Sequence, residues 1–151
     1  MTVKKVLRVI AAVLLVVTLI PSLACMGRIQ QAAQKARDAN DLMQIGLLYH
    51  QYCDLNNGKP PATLDEFVKF AQTNEPGALP AVSGLQSGKY VIYLGVDIKK
   101  QAQGTGNTVL AYDANVPTAG GPVVMVDGSS RQMTAAEFAA AAKPVGGKLS
   151  K

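Results

Sequence analysis

The chain has 151 residues, with 15 Lys/Arg against 10 Asp/Glu, a formal charge of +5, five Tyr, three Phe and no Trp. That charge is no nucleic-acid signature: Lys4, Lys5 and Arg8 precede an apolar run, and residues 26–151 keep twelve basic against ten acidic side chains. Scarce aromatics exclude a base-stacking platform, and the length allows one small domain with an appendage.

The appendage comes first. Behind Lys4, Lys5 and Arg8 stands VIAAVLLVVTLI, residues 9–20, and apolar character continues through PSLACM. A basic start, an apolar centre and small residues have the layout of an export signal, so residues 1–26 are assigned as a signal or membrane anchor. Three fates fit this segment. Ser22 and Ala24 suit ordinary cleavage before Cys25; Cys25 within SLAC is itself a lipidation candidate; and residues 6–26 are just long enough to remain as an uncleaved span.

From Ile29 the apolar positions are Ile29, Ala32, Ala33, Ala36, Ala39, Leu42, Met43, Gly46, Tyr49 and Cys53, a spacing of three and four with polar residues between. This predicts an amphipathic helical stem over residues 27–58. No strong breaker separates it from the apolar run, since Pro21 is tolerated as a kink in a membrane helix and Gly27 costs only about 1 kcal/mol. The continuity favours the anchor. Asn56, Asn57 and Gly58 supply left-handed positions at the helix end, and Pro60 and Pro61 forbid continuation.

The end of this helix carries the chain's single histidine, in QIGLLYHQYCDLNNGKPP, residues 44–61. His50, Cys53 and Asp54 stand at i, i+3 and i+4, a spacing that brings side chains together on a helix. A nucleophilic site requires an imidazole-activated thiolate and an oxyanion hole, and no Gly-rich turn before a helix is placed to supply one. A zinc site lacks its fourth ligand, with no second His and no CxxC. The trio is therefore assigned as a polar helix end, His50 favoured by the dipole and Cys53 packed as a small hydrophobe. A single helix would also hold Cys25 and Cys53 roughly 42 Å apart at about 1.5 Å per residue, which excludes a disulfide between them.

Residues 59–143 are expected to form a small α+β head. TLDEFVKFAQ and TAAEFAAAAK each open with capping-box spacing, Thr63 with Glu66 and Thr134 with Glu137. Between them KYVIYLGV (89–96), NTVLAYDA (107–114) and GPVVMVDGSSRQM (121–133) are predicted strands, the last a hairpin with Asp127 and Gly128 in a type I′ turn. An antiparallel sheet built from them would pack on the upper half of the long helix. TNEPGALPAVSGLQSG is expected to be loop, residues 144–151 a flexible tail, and Gly104 and Gly106 part of a flexible loop without dinucleotide context.

Two stretches together resemble a known family. The helix followed by KARDANDLMQIGLLYHQYCDLNNGKPPATLDEF, and VLAYDANVPTAGGPVVMVDGSSRQMTAAEF at residues 109–138, are similar to type IV pilin-like and pseudopilin proteins of bacteria, in particular a poorly characterised group with an Asp-Gly C-terminal hairpin. Pro117 stands where that group usually has a His, and the prepilin leader and its Glu are absent; the first acidic residue is Asp38. The resemblance implies a non-enzymatic, pilin-like α+β protein of the cell envelope, membrane-anchored with its head outside the cytoplasm and linked to a secretion or pilus-type assembly. Its implied partners are membrane lipid and other pilin-like or envelope proteins, with no nucleic acid and no cofactor. Some pseudopilins bind calcium in a C-terminal loop, but Asp97, Asp113, Asn115 and Asp127 match no EF-hand spacing and are assigned as turn formers. The alternative is a lipoprotein or secreted binding module acylated or cleaved at Cys25.

Overall fold

The computed structural model describes the backbone of residues 3–150 and the side chains of residues 29–150. The first helix, α1, runs Val3–Leu55. From Arg37 onward the chain forms a compact unit of its own, of mixed α+β class. After α1 come α2 (Leu64–Asn74), α3 (Leu79–Gln86) and β1 (Tyr90–Leu94). Then follow β2 (Val109–Asp113), α4 (Val116–Ala119), β3 (Gly121–Met125), β4 (Ser130–Met133), α5 (Ala135–Ala140) and β5 (Lys148–Leu149). The five strands form one antiparallel sheet in the order β4-β3-β2-β1-β5.

The end of α1 is made by the residues expected to make it. Asn57 has φ 56° and Gly58 φ 80°, and the Gly58 N–H donates to Cys53 O at 2.7 Å, closing the final turn. The buried face of α1 differs from the expected stripe. Leu42, Ile45, Leu48, Tyr49, Tyr52 and Cys53 enter the core, whereas Ile29, Ala32, Ala33, Ala36 and Met43 are exposed. Ile45, Leu48 and Tyr52, not in the expected stripe, recur at the same three-to-four spacing, so the wetted and buried faces are set by what lies opposite. Each fully buried aliphatic side chain of this kind contributes about 1.5–3 kcal/mol.

The sheet is covered on both faces. Tyr90, Ile92 and Leu94 of β1 point into the core shared with α1, α2 and α3, while Val91 and Tyr93 pack with Tyr112, Val123 and Phe138 under α4 and α5. In β2 the register shifts between Val109 and Ala111. That bulge turns both Leu110 and Ala111 toward the α1 side, whereas Val109 and Tyr112 face the other. Pro122 opposes Gln132 in the β3–β4 pairing.

Three expectations are corrected here. The segment expected as loop holds a 3-10 turn at Pro76–Ala78 and then α3, whose Ala81, Val82 and Leu85 are buried. The tail is not free of structure: β5 pairs with β1, and the Ser150 N–H donates to Ile92 O at 2.9 Å. The Asp-Gly hairpin is not a type I′ turn, because Gly128 has φ 84° while Asp127 does not share a positive φ. Gly128 N–H donates to Met125 O at 2.9 Å and Met125 N–H to Ser129 O at 2.8 Å, the bonding of a three-residue loop with a left-handed glycine in third place.

Glycine permits two close approaches. A methyl group at Gly84 of α3 would stand 2.3 Å from the Tyr90 ring, and one at Gly46 of α1 would stand 2.8 Å from Val124 Cγ2. Gly84→Ala is expected to destabilise the protein by about 1–3 kcal/mol through overpacking. Gly77→Ala, with nothing within 4 Å of the new methyl, serves as control; denaturant melts should rank Gly84→Ala as the weaker protein by a clear margin, Gly46→Ala falling between them.

Candidate functional site

His50, Cys53 and Asp54 leave α1 in three directions. Cys53 is 3% exposed within the core, Asp54 is exposed, and His50 lies at the boundary. Residues i+3 and i+4 sit about 100° apart around a helix, and here the edge of the core passes between them. The thiol therefore has no imidazole to activate it. Burial, with the Asp54 and Asp97 charges adding to it, pushes Cys53 up to about 11, so the thiolate is scarce near neutral pH.

The His50 ring is engaged by the hairpin instead. Its Nε2 lies 2.7 Å from Val126 O, and a carbonyl only accepts, so Nε2 carries a proton and donates it to this bond. This bond ties α1 to the β3–β4 turn, next to the Gly46 approach. His50 and Asp54 also border an open groove of about 370 Å³ beside α1, together with Gln44, Leu47, Gln51 and Glu75. Gln51 Nε2 donates to Glu75 Oε1 across it at 2.9 Å.

The carboxylates considered for calcium are each engaged in local turns. Asp97 caps the 3-10 turn Ile98–Lys100, accepting from the Lys99 N–H at 2.9 Å with Lys100 Nζ 3.1 Å away, contacts that hold its carboxyl below the usual range. Asp113 Oδ1 accepts from both the backbone N–H and the side-chain amide of Asn115. Asp127 Oδ1 accepts from the Ser129 N–H at 2.9 Å and the Ser129 hydroxyl at 2.6 Å, which lowers its carboxyl too. Among the described residues no three His, Cys, Asp or Glu side chains are grouped to hold a metal ion.

The loop at Gly104 and Gly106, expected to be flexible, is docked on the hairpin. Val126 N–H donates to Thr108 O at 2.8 Å, and Arg131 Nη2 to Gly106 O at 2.6 Å. A methyl at Gly106 would stand 2.9 Å from Asp127 Oδ2, so the loop passes close to the Asp127 carboxylate. A hollow of about 740 Å³ adjoins it, bordered by Gln103, Asn107, Arg131, Gln132, Met133 and Glu137. Both Glu137 carboxylate bonds are taken by Thr134, whose N–H and hydroxyl donate to Oε2 in a complete capping box.

Sequence reasoning missed the polar joints made by tyrosines. Tyr49, wholly buried, donates its hydroxyl to Val96 O at 3.1 Å and accepts from Val96 N–H at 2.8 Å; burial raises its pKa. Thr63 caps α2 as expected, accepting from the Glu66 N–H at 3.2 Å, while the Glu66 carboxylate accepts from the Tyr52 hydroxyl and from Ala62 N–H. Burial, with the Glu66 bond and charge, moves the Tyr52 phenol up to about 12. The Tyr90 hydroxyl lies 3.1 Å from Asp38 Oδ1 and 2.9 Å from Asp41 Oδ2, with Lys89 Nζ 2.6 Å from Asp38 Oδ1. The available signal was the tyrosine itself: a phenol on a buried helical stripe needs a partner for its hydroxyl.

Cys25, the lipidation candidate, lies outside the residues whose side chains are described, as does the apolar run at 9–20. Among the described residues no helix is long and apolar enough to cross a membrane.

Tyr49→Phe should cost about 1–3 kcal/mol by leaving the buried Val96 groups unpaired, and Gly128→Val a similar amount through its forced positive φ, roughly 1–3 kcal/mol. His50→Ala should cost about 1 kcal/mol or less, since removing the half-buried ring would open a path for water to the Val126 carbonyl that it now covers; urea titrations test this order, and a larger loss for His50→Ala would contradict it. In a Cys25→Ser background, Cys53 should resist a thiol reagent at neutral pH until the chain is unfolded; labelling of the native protein as fast as of the unfolded chain would refute the buried-thiol assignment. Compared with known proteins, the chain matches no family model, no curated protein and no solved structure.

Proposed function

We propose that the chain is a non-enzymatic, membrane-anchored structural or accessory protein of the cell envelope, built on the pilin-like plan and serving a secretion or pilus-type assembly. One observation carries the reading: α1 runs unbroken from Val3 to Leu55, and the same helix that contains the apolar sequence at 9–20 lends its last turns to the core of the head. The chemistry at the helix end agrees with a structural role, because Cys53 is a buried, poorly ionised thiol and His50 is spent on a backbone carbonyl.

The missing acidic residue near the start of the apolar run shapes the proposal further. A buried ammonium and carboxylate can compensate one another in hydrocarbon, whereas either alone is costly. Asp38, the first acidic residue, is instead committed to Lys89 and Tyr90 in the head. The protein therefore acts as an anchored monomer or as an accessory to another assembly, and does not polymerise alone.

Intact mass and N-terminal sequencing of the protein from its native membrane test the anchor. Partition with membranes and a chain beginning at Met1 or Thr2 are expected. A chain starting at Cys25 with added acyl mass would establish the lipoprotein alternative, and a soluble chain would sink both. Electron microscopy of cells overproducing this protein alone should reveal no regular filaments labelled by an antibody to the head.

A further inference from the structure

Six asparagines occur in the sequence, and Asn57 is the one followed by glycine. It is exposed, and among the described residues it is the one non-glycine residue with positive φ, 56°. No hydrogen bond holds its side-chain amide, in contrast to Asn56, whose Nδ2 donates to Tyr52 O at 2.8 Å. The backbone around it is fixed instead: Gly58 N–H donates to Cys53 O at 2.7 Å and Lys59 N–H to Asn56 O at 3.1 Å. A free carboxamide thus stands beside the least hindered amide nitrogen a peptide can offer, on a backbone held by the helix cap.

We propose that Asn57 is a site of spontaneous covalent modification whose rate is governed by opening of the α1 cap. In the step, the Gly58 nitrogen loses its proton to base and attacks Asn57 Cγ. The N–Cγ bond forms, the Cγ–Nδ2 bond breaks, and ammonia leaves behind a five-membered cyclic imide. Water then adds to one imide carbonyl and the ring opens at that carbon–nitrogen bond. Attack at Cγ gives aspartate; attack at the main-chain carbonyl gives isoaspartate, in which the chain runs through Cβ and Cγ. No oxidant or second protein is required.

The cap opposes the first step. While Gly58 N–H is bonded to Cys53 O its proton is retained, and the left-handed backbone is pinned, so attack requires the cap to open. The products oppose the cap in turn. Either one places a negative charge at the carboxyl end of α1, where the dipole disfavours it. Isoaspartate also lengthens the main chain within the turn closed by Cys53 O. Asp127–Gly128 has the same small neighbour but is held differently, its carboxylate accepting two bonds from Ser129.

The test is peptide mapping of the full chain during incubation at mildly alkaline pH, native and in urea. Conversion at residue 57 is expected in both, with the native rate lower by about tenfold or more, as cap opening limits it. Asn56→Ala, which removes one bond of the cap, should raise the native rate, and adding Asn57→Gly to that variant, which leaves no Asn-Gly pair in the chain, should abolish conversion at this turn without lowering the melting temperature of the Asn56→Ala protein. The deamidated fraction, separated from the unmodified chain by its added charge, should melt below it. Absence of conversion at 57 in the native chain once the urea sample has converted fully would overturn the proposal, and so would equal rates in the two samples.

Discussion

A tyrosine cannot enter a hydrophobic core unless its hydroxyl finds a partner, and that requirement organises this protein. Tyr49 brings one polar atom from α1 into the interior and satisfies both backbone groups of Val96 with it. The reward is positional, since two opposed bonds to a single peptide unit leave the helix little freedom to slide or rotate against the end of β1. Gly95 N–H meets Pro61 O at 2.9 Å beside it, so the linker from α1 to α2 is held at the same point. The rings of Tyr49 and Tyr52 lie 6.0 and 6.5 Å from that of Phe67, which extends the restraint to α2. Tyr90 acts from the opposite direction, rising from the sheet to Asp38 and Asp41 on α1.

Those joints also explain which parts of the fold were legible. Local chemistry was readable: the Asn-Asn-Gly-Pro-Pro end of α1, the Thr134 capping box, and three strand segments whose cores lie at β1, β2 and β3–β4 follow from propensity and hydrogen bonding within a few residues. The pairing partners of hydroxyls were not, because Tyr49 and Val96 are 47 residues apart. α3 was misjudged as loop since Pro76, Pro80, Gly77 and Gly84 are breakers by local rule, yet Pro80 sits in the first turn where its missing donor is harmless. Gly84 persists in the helix because the Tyr90 ring occupies the space of a side chain. β5 carries only two residues of strand, too few for any alternation to register.

For the candidate site, the helical spacing of His50, Cys53 and Asp54 was right and its chemical consequence was decided elsewhere. Spacing places side chains on a helix; only the neighbouring elements say which are in water. Val126, 76 residues from His50, supplied the atom that gives the histidine its use. The carboxylates at 97, 113 and 127 share a similar lesson, as each accepts hydrogen bonds from residues two or three positions further along the chain.

The order of strands bears on how the chain is made. β5 closes against β1 across most of the head's sequence, with Ile92 N–H donating to Ser150 Oγ 58 residues away. Synthesis proceeds from the amino end, so β1 must wait with one edge bare while β2, β3 and β4 are added on its other side. A bare edge is a template for intermolecular pairing. The interval between emergence of residue 94 and arrival of residues 148–149 is thus the period in which a nascent chain is most exposed to its neighbours.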